Sequence, residues 1–139
     1  MANVKRTVGG VMVKSPITVE HWQPVAHARQ LMLMHSFSYL PIRYENDWHL
    51  LSELHLARYL CTSNAQKAVR LGRTIAEAVR ESPKLQLIKI DAAALLSADQ
   101  AIEKLLNDAH HEQRPTLWLV IDKAQQDHLA GVLSPFELM

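Results

Sequence analysis

The sequence predicts a mixed α/β (α+β) fold built from two β-α-β-β-α repeats. The main observation is an internal repeat, in which a strand, a polar turn and a second strand end in a hydroxyl residue, once at residues 39–52 and again at 117–134. Superimposing Ser52 on Ser134 gives an offset of 82 residues (134 − 52). A second observation is that helical apolar periodicity alternates with these β-type runs. Repeats that cannot bury their own apolar faces cover each other, so both copies are expected to fold together.

Composition indicates a soluble intracellular chain. Its 139 residues suit one domain or two small interdependent halves. Hydrophobic residues make up 48% and the net charge is +1, which supplies a core and no basic field for nucleic acid. No apolar run reaches the roughly 18 residues that span a bilayer, and no secretory signal is present. Cys61, the single cysteine, excludes an internal disulfide and fits a reducing cytoplasm, so we interpret it as a buried helix residue.

The first repeat is predicted for residues 8–62. It opens with an extended segment at Ser15-Pro16-Ile17-Thr18-Val19, because proline restricts the preceding residue and β-branched side chains favour strands. Pro24 suits the first turn of a helix, where a missing N–H costs nothing. The helix behind it is indicated by apolar residues at three- and four-residue spacing, namely Val25, Ala28, Leu31 and Met32.

A hairpin completes the first repeat, with the polar turn Glu45-Asn46-Asp47 between its strands. Pro41 cannot donate to a ladder, so its strand is expected at a sheet edge, or this position is turned outward. Ser52 is a good N-cap for the next helix. The apolar stripe predicted for that helix is Leu54, Ala57, Leu60 and Cys61.

Residues 63–73 form a polar, basic connector. If this segment is helical, Lys67, Arg70 and Arg73 share one side of it, as either a solvated face or an anion site. The second repeat, 74–139, then begins with the capping box Thr74-Ile75-Ala76-Glu77.

The second repeat continues with the same kinds of element. The helix behind Thr74 must end by Pro83, and residues 85–90 are predicted as a strand. Ser97-Ala98-Asp99-Gln100 is a second capping box, and the uninterrupted run 117–121 suits a buried central parallel strand. The helix stripe between them is Ile102, Leu105, Leu106 and Ala109.

The order of these motifs carries a family resemblance. In the first copy the matching residues are Val11-Met12, Ser15-Pro16-Ile17-Thr18-Val19, Pro24-Val25, Leu31-Met32, Leu40-Pro41-Ile42 and Leu50-Leu51-Ser52. In the second copy they are Leu119-Val120-Ile121-Asp122 and Gly131-Val132-Leu133-Ser134-Pro135-Phe136-Glu137-Leu138. Over most of residues 8–139 the chain resembles a cystathionine-beta-synthase (CBS) domain pair, also called a Bateman module. The resemblance implies a stand-alone tandem pair whose repeats pack around a pseudo-twofold axis, with clefts for adenosine-containing ligands and pairing of two chains.

The resemblance also implies which residues bind ligand. In ligand-binding members, an aspartate three residues after the hydroxyl grips the ribose, since a carboxylate accepts two hydrogen bonds from neighbouring hydroxyls. Those positions are His55 and Glu137 here, and His49 stands where the family has a glycine. Glu137 also completes a capping box with Ser134, so cap and ligand contact are alternatives that can coexist. The implied first cleft contains Ser15, Ile17, Thr18, Tyr39, Pro41, Ser52 and His55, and the second contains Leu117, Ser134 and Glu137.

Other chemistry finds no support in the sequence. The pairs His21 with His27 and His110 with His111 lack metal-ligand spacing, so we predict no metal site. No nucleophilic triad or phosphate-binding glycine loop occurs, so we predict no catalytic residues and no enzyme activity.

Two hypotheses for the function remain. The first is a regulatory module that binds AMP, ADP, ATP or S-adenosylmethionine and signals to a regulated protein partner. The second is a dimeric protein-interaction scaffold whose ligand clefts are vestigial, because His55 accepts a single hydrogen bond when neutral. A cytoplasmic homodimer without nucleic-acid or membrane partners is expected in both cases.

Overall fold

Two separate four-stranded sheets organise the chain in this computed structural model, which describes residues 6–90, 94–103, 105, 117–125 and 128–139. One sheet belongs to a unit formed by Ile17–Ile90, and the other to a unit that combines Met1–Pro16 with Asp91–Met139. The mixed α/β class is therefore confirmed. The repeat boundaries at 62 and 74 stay a prediction about sequence copies, because these units divide the chain by contacts.

The sheet of the Ile17–Ile90 unit contains the predicted hairpin. Glu45 and Asn46 both have positive φ, 51° and 69°, which is the backbone of a two-residue type I′ turn. The first two strands are parallel and the remaining neighbours antiparallel. In sheet order the strands are β2 (Val19–Glu20), β3 (Tyr39–Tyr44), β4 (Asp47–Ser52) and β5 (Ile88–Lys89).

The edge prediction for Pro41 is wrong. Its strand, β3, lies inside the sheet, and its side chain is buried. The parallel neighbour β2 is short and pairs with β3 only at Ile42 and Arg43. Pro41 lies just before these paired positions, so an internal strand tolerates a residue without an N–H.

Four helices accompany this sheet, and the buried residues of three of them pack with the sheet to form the core of this unit. In the first of them, Val25, Ala28 and Met32 are buried against the sheet residues Leu40 and Ile42, so the predicted stripe is confirmed. The helices are α2 (Val25–His35), α3 (Glu53–Leu60), α4 (Asn64–Leu71) and α5 (Ile75–Glu81).

The stripe predicted for α3 is wrong in all but one residue. Only Leu60 of that stripe is buried, together with Leu56 and Tyr59. Leu54 is 55% exposed and Cys61 is exposed, which also contradicts its prediction as a buried residue. The side of α3 that carries Leu56, Tyr59 and Leu60 packs in the core, and its other apolar side is exposed.

The basic connector is the helix α4, none of whose residues is buried. Arg70 donates to the carbonyl oxygen of Tyr59 at 2.5 Å, and its guanidinium lies 5.0 Å from the centre of the Tyr59 ring. Arg73 lies 3.7 Å from Glu77 and 3.5 Å from Glu81. Two of the three connector cations thus have partners within the chain, which weakens the anion-site interpretation.

Thr74 is confirmed as the N-cap of α5, and the carboxylate of Glu77 reaches back to the Thr74 hydroxyl rather than to its backbone N–H. The Thr74 hydroxyl accepts the Glu77 N–H at 3.1 Å and donates to the Glu77 carboxylate at 2.9 Å. Helix α5 ends at Glu81, before Pro83, as predicted. Ile75 is fully buried in the core of the Ile17–Ile90 unit, so α5 belongs to that unit.

The second sheet combines one strand from the start of the chain with three from its end. Residues 118–121 are buried in a strand that is parallel to one neighbour and antiparallel to the other, which confirms the predicted central strand. In sheet order the strands are β1 (Val13–Lys14), β8 (His128–Leu133), β7 (Trp118–Asp122) and β6 (Leu95–Leu96). Short helices lie at α1 (Val8–Val11), Lys123–Gln125 and Pro135–Leu138, the last two of the 3-10 type.

Two local predictions for this unit differ from the structure. Of the extended segment predicted at residues 15–19, only Val19 lies in a strand, β2, and Ser15 has a left-handed backbone with φ of 53°. The Ser97 capping box is a turn instead, because the Ser97 hydroxyl donates to Asp99 at 2.6 Å and the Gln100 N–H donates to the Ser97 carbonyl. Of the helix stripe beyond it, Ile102 and Leu105 are buried, whereas Leu106 and Ala109 lie outside the described residues.

Candidate functional site

The junction between β4 and α3 places Ser52 and His55 in direct contact. Ser52 ends β4 and is the N-cap of α3, and only 5% of it is exposed. Its hydroxyl oxygen accepts the His55 backbone N–H at 3.1 Å, which is the usual bond of an N-cap serine. The same oxygen lies 2.7 Å from Nδ1 of the His55 ring. The two residues are therefore held together by two hydrogen bonds.

The other residues implied for the first cleft surround this junction only in part. Tyr39 is half-buried and pairs with Ser52 across the hairpin. Thr18 directly precedes Val19, which pairs with Ile42 next to the buried Pro41. Of the remaining two, Ile17 packs against the core of the same unit, whereas Ser15 is exposed and belongs to the other unit.

The corresponding junction of the second copy joins Ser134 to Glu137. The Ser134 N–H donates to one carboxylate oxygen at 3.2 Å, and the Ser134 hydroxyl donates to the other at 2.5 Å. Both residues are half-buried, and so is Leu117, which directly precedes β7. The carboxylate reaching back to the serine N–H is the capping interaction that the sequence predicts.

The two junctions are therefore alike in one respect. In each, the third residue after the hydroxyl hydrogen-bonds with that hydroxyl. The alignment of the two copies at Ser52 and Ser134 thus has a counterpart in local structure. Each of these residues can still form a further hydrogen bond, since Glu137 keeps lone pairs and His55 keeps a second ring nitrogen.

Comparison with known proteins decides the fold. No protein-family model matches the sequence, and no curated protein sequence matches it. Among solved structures, AcuB from Vibrio cholerae is similar at a TM-score of 0.69 and 13% identity, covering 97% of this chain and 88% of that one. CBSX2 in complex with AMP is similar at 0.65 and 15%, covering 95% and 92%. A CBS-domain pair in complex with 5′-methylthioadenosine and S-adenosyl-L-methionine is similar at 0.62 and 14%, covering 97% and 94%.

The chain has the fold of a CBS-domain pair. The resemblance derived from the sequence motifs is thus confirmed at the level of fold. At 13–15% identity the ligands of these structures say nothing by themselves about this chain.

A nucleophilic interpretation of Ser52 does not fit the junction. Ser52 and His55 lie at the distance of a nucleophile and its base. The serine, however, is buried, and its oxygen already accepts a helix N–H, so it serves as a cap. In the part of the chain that the structure describes, no three His, Cys, Asp or Glu side chains converge on a metal position. No described helix is long and apolar enough to cross a bilayer.

His49, which the resemblance implies would crowd the first cleft, contacts the residues of the hairpin turn. Its Nδ1 lies 3.1 Å from the carbonyl oxygen of Asp47, and its ring meets Tyr44 edge to face at 6.0 Å. His49 pairs with Ile42 across the hairpin. It lines an open pocket of about 420 Å³ together with Tyr44, Glu45, Val79, Ser82, Pro83, Leu85, Gln86 and Leu87.

An apolar groove on the helices of the Ile17–Ile90 unit was missed by sequence reasoning. Its volume is about 600 Å³, and Leu33 and Leu54, 65% and 55% exposed, lie along it. The available signal was that α3 is apolar on two sides, and a helix with two apolar sides needs two partners. The lining is completed by Arg29, Met32, Glu53, Leu56, Ala57, Leu60, Cys61 and Lys67.

Proposed function

We propose that this CBS-domain pair is a regulatory module that binds an adenosine-containing ligand and has no catalysis of its own. The observation that carries the proposal is that both junctions, Ser52 with His55 and Ser134 with Glu137, keep a hydroxyl and a polar third residue in hydrogen-bond contact. Solved chains of this fold with AMP and with S-adenosyl-L-methionine support the ligand class. AMP, ADP, ATP and S-adenosylmethionine are the ligands to test.

Regulation by such a module requires two conformations of the protein that bind the ligand with different affinities. A ligand shifts the equilibrium between them only by its differential affinity, and a protein partner that distinguishes the two arrangements then responds to the ligand. We therefore propose a regulated protein partner as well as a small molecule.

A thermal-shift screen against the four ligands, with NAD as a fifth, tests this function. A specific ligand at a hundred times its Kd adds about 2.7 kcal/mol of stability. In Glu137→Gln we expect this gain to fall while the ligand-free melting temperature stays within about 2 °C, because Gln also serves in a capping box. No stabilisation of the unsubstituted chain by any of the five ligands would leave the scaffold as the better hypothesis.

The scaffold hypothesis has an observation of its own, which is the apolar groove. The apolar stripe of α2 does not serve as a homodimer interface, because Val25, Ala28 and Met32 fill the core of their own unit. The groove offers a different surface, with the cations Arg29 and Lys67 and the anion Glu53 among its lining residues. In a twofold dimer, both copies contribute the same patch to the interface. A patch that carries both cations and an anion allows the cations of one copy to face the anion of the other. We therefore propose a second copy of this chain as the occupant of the groove.

A further inference from the structure

The open pocket of about 420 Å³ that His49 lines is here called the turn pocket. Its lining comes from the tip of the β3–β4 hairpin, from the end of α5 and from the segment 82–87 that leads to β5. Ser52 lies at the other end of the hairpin, where it pairs with Tyr39, about 17 Å along β3 from Tyr44. The turn pocket is therefore separate from the junction of the first copy, and the function proposed above leaves it unassigned.

The apolar lining of the turn pocket is held in place by the core of its unit. Leu85 is 1% exposed and belongs to that core, and Val79 and Leu87 pack against it. Tyr44 ends a strand, and its ring meets that of His49 edge to face at 6.0 Å. Ligand pockets are usually preformed, with apolar walls and volumes of about 300–1,000 Å³. The turn pocket has these properties and suits a small ligand with an apolar body.

The charge of the turn pocket is negative. With His49 neutral, Glu45 is the single charged residue of its lining, which contains no Lys or Arg. The two-residue turn places Glu45 with φ of 51°, and among the described residues it takes part in no salt bridge. The neighbouring cation Lys89 is engaged elsewhere, since it lies 3.8 Å from the carboxylate of Asp47. The turn pocket therefore favours a cation over an anion.

The other polar groups of the lining can accept hydrogen bonds. A carbonyl oxygen has no hydrogen to donate, so in the 3.1 Å contact between His49 Nδ1 and the Asp47 carbonyl it is Nδ1 that donates. In the neutral imidazole the other nitrogen, Nε2, is then an acceptor. The side-chain carbonyl of Gln86 is a second acceptor, and an aromatic ring such as that of Tyr44 attracts a cation over its face. An ammonium group, with three N–H donors and a positive charge, matches this set.

We propose that the turn pocket binds a small primary amine with an apolar body. Its ammonium group pairs with Glu45, and its body packs against Leu85 and Leu87. A metal ion has too few ligands here, since no three His, Cys, Asp or Glu side chains of the described residues converge on one position. This site goes beyond the proposed function, because it takes an organic cation at a place distinct from the junction that would hold adenosine.

Phenethylamine is the probe, and the full chain is titrated with it in two-dimensional ¹H–¹⁵N spectra. The matched neutral and anionic probes are 2-phenylethanol and phenylacetate, which keep the aromatic body and change the charge of the head group. We expect phenethylamine to shift the amide signals of Glu45, Gln86 and Leu87. We also expect it to bind at least about fivefold more tightly than either matched probe.

Two variants test the charge and the position of the site. Glu45→Gln removes the charge and keeps the length of the side chain, so it should weaken phenethylamine binding at least about fivefold. Its control is Glu103→Gln, an equal charge change at an exposed residue of the other unit, which should keep the affinity. Gln86→Trp fills the turn pocket from an exposed position and should abolish binding. A melting temperature within about 2 °C of the unsubstituted chain shows that each variant is folded.

Four results would overturn the proposal. The first is equal affinity for phenethylamine and 2-phenylethanol, and the second is an unchanged affinity in Glu45→Gln, since either would show that charge does not select the ligand. The third is binding that survives Gln86→Trp, which would place the amine elsewhere on the chain. The fourth is no binding of phenethylamine at about 10 mM. The adenosine-binding function is tested by its own thermal-shift screen, so it can stand or fall separately.

Discussion

Gly131 lies where β1 and β8 pair, and this position has no room for a side chain. A Cβ at this position would lie 2.8 Å from the carbonyl oxygen of Val13 and 2.5 Å from the sulfur of Met12. The methionine can move, but the backbone oxygen is held by the pairing of the two strands. We expect Gly131→Ala to lower the free energy of unfolding by about 1–3 kcal/mol, measured by urea denaturation.

A second glycine supplies the control. A Cβ on Gly10 would meet its nearest neighbour, the Thr7 hydroxyl oxygen, at 3.7 Å, which is ordinary contact. Gly10 lies in the helix α1, where alanine is favoured over glycine, so Gly10→Ala should be neutral or stabilising. Equal losses in both variants would show that the contact at Gly131 is not the cause.

Tyr59 gives the stability of the chain a dependence on pH. Burial raises the pKa of its phenol, and the Glu81 carboxylate acts in the same direction, while the guanidinium groups of Arg70 and Arg73 act against both. The folded state therefore favours the neutral phenol more than the unfolded state does. This contribution is complete below about pH 10, where tyrosine in the unfolded chain begins to ionise, and it is lost as the pH rises further. We expect urea midpoints to fall less steeply above about pH 10 in Tyr59→Phe than in the unsubstituted chain. Parallel curves for the two would contradict this.

At the scale of an element, the turn between β3 and β4 uses residues that are not the best for its backbone. Type I′ turns need positive φ at both central positions, which favours Asn followed by Gly, and here they are Glu45 and Asn46. We expect Asn46→Gly to raise the free energy of unfolding by about 0.5–1 kcal/mol, since glycine has no Cβ penalty there. Asn46→Val should lower it by about 1 kcal/mol or more. Thermal melts measure both, and Asn64→Gly in α4 is a control that should bring no gain.

Local signals predicted the elements well, and contacts distant in sequence account for the differences. The caps at Ser52 and Thr74 and the buried strand of residues 118–121 follow from residues within a few positions. The internal place of Pro41 depends on how far β2 extends, which no neighbour of Pro41 encodes. Of the strand predicted at 85–90, only Ile88–Lys89 pairs, at two positions of β4.

The sequence predicted which residues form the candidate site, but it did not predict all of the contacts between their side chains. The internal repeat marked Ser52 with His55 and Ser134 with Glu137 as equivalent pairs. The contact between the Ser52 hydroxyl and the His55 ring could not be predicted, because it depends on the side-chain conformation that His55 adopts in the folded chain. The groove was missed because α3 is apolar on two sides, and its sequence does not tell which of them faces the sheet.

At the scale of the whole molecule, we expect the chain to self-associate through its groove. A charge at Leu33 or Leu54 would be desolvated in the interface, so Leu33→Glu and Leu54→Glu should each shift a dimer toward monomer by tenfold or more in Kd. Sedimentation equilibrium measures this shift. The control is Val69→Glu, because Val69 is 53% exposed, like Leu54, but does not line the groove.

Cys61 reports on the same surface. It lines the groove, so a partner copy should slow its alkylation, and Leu54→Glu should restore the rate. A chain that stays monomeric at tens of micromolar, roughly the concentration of an ordinary sample, or a shift equal to that of Val69→Glu, would remove the groove as a dimer interface.

Because β1 pairs with β8, the unit that contains β1 cannot be completed until β8 has been synthesised. The Ile17–Ile90 unit lies between these strands in the sequence. Val13 meets Val132, and the Val8 N–H donates to the Gln100 carbonyl, so this early segment has partners that are synthesised near the end. The Ile17–Ile90 unit has all its strands once residue 90 has emerged, and domains generally fold as units during synthesis. Val8, fully buried in the finished chain, is thus synthesised well before the residues that cover it, such as Trp118 and Leu133, and stays uncovered until they have been made.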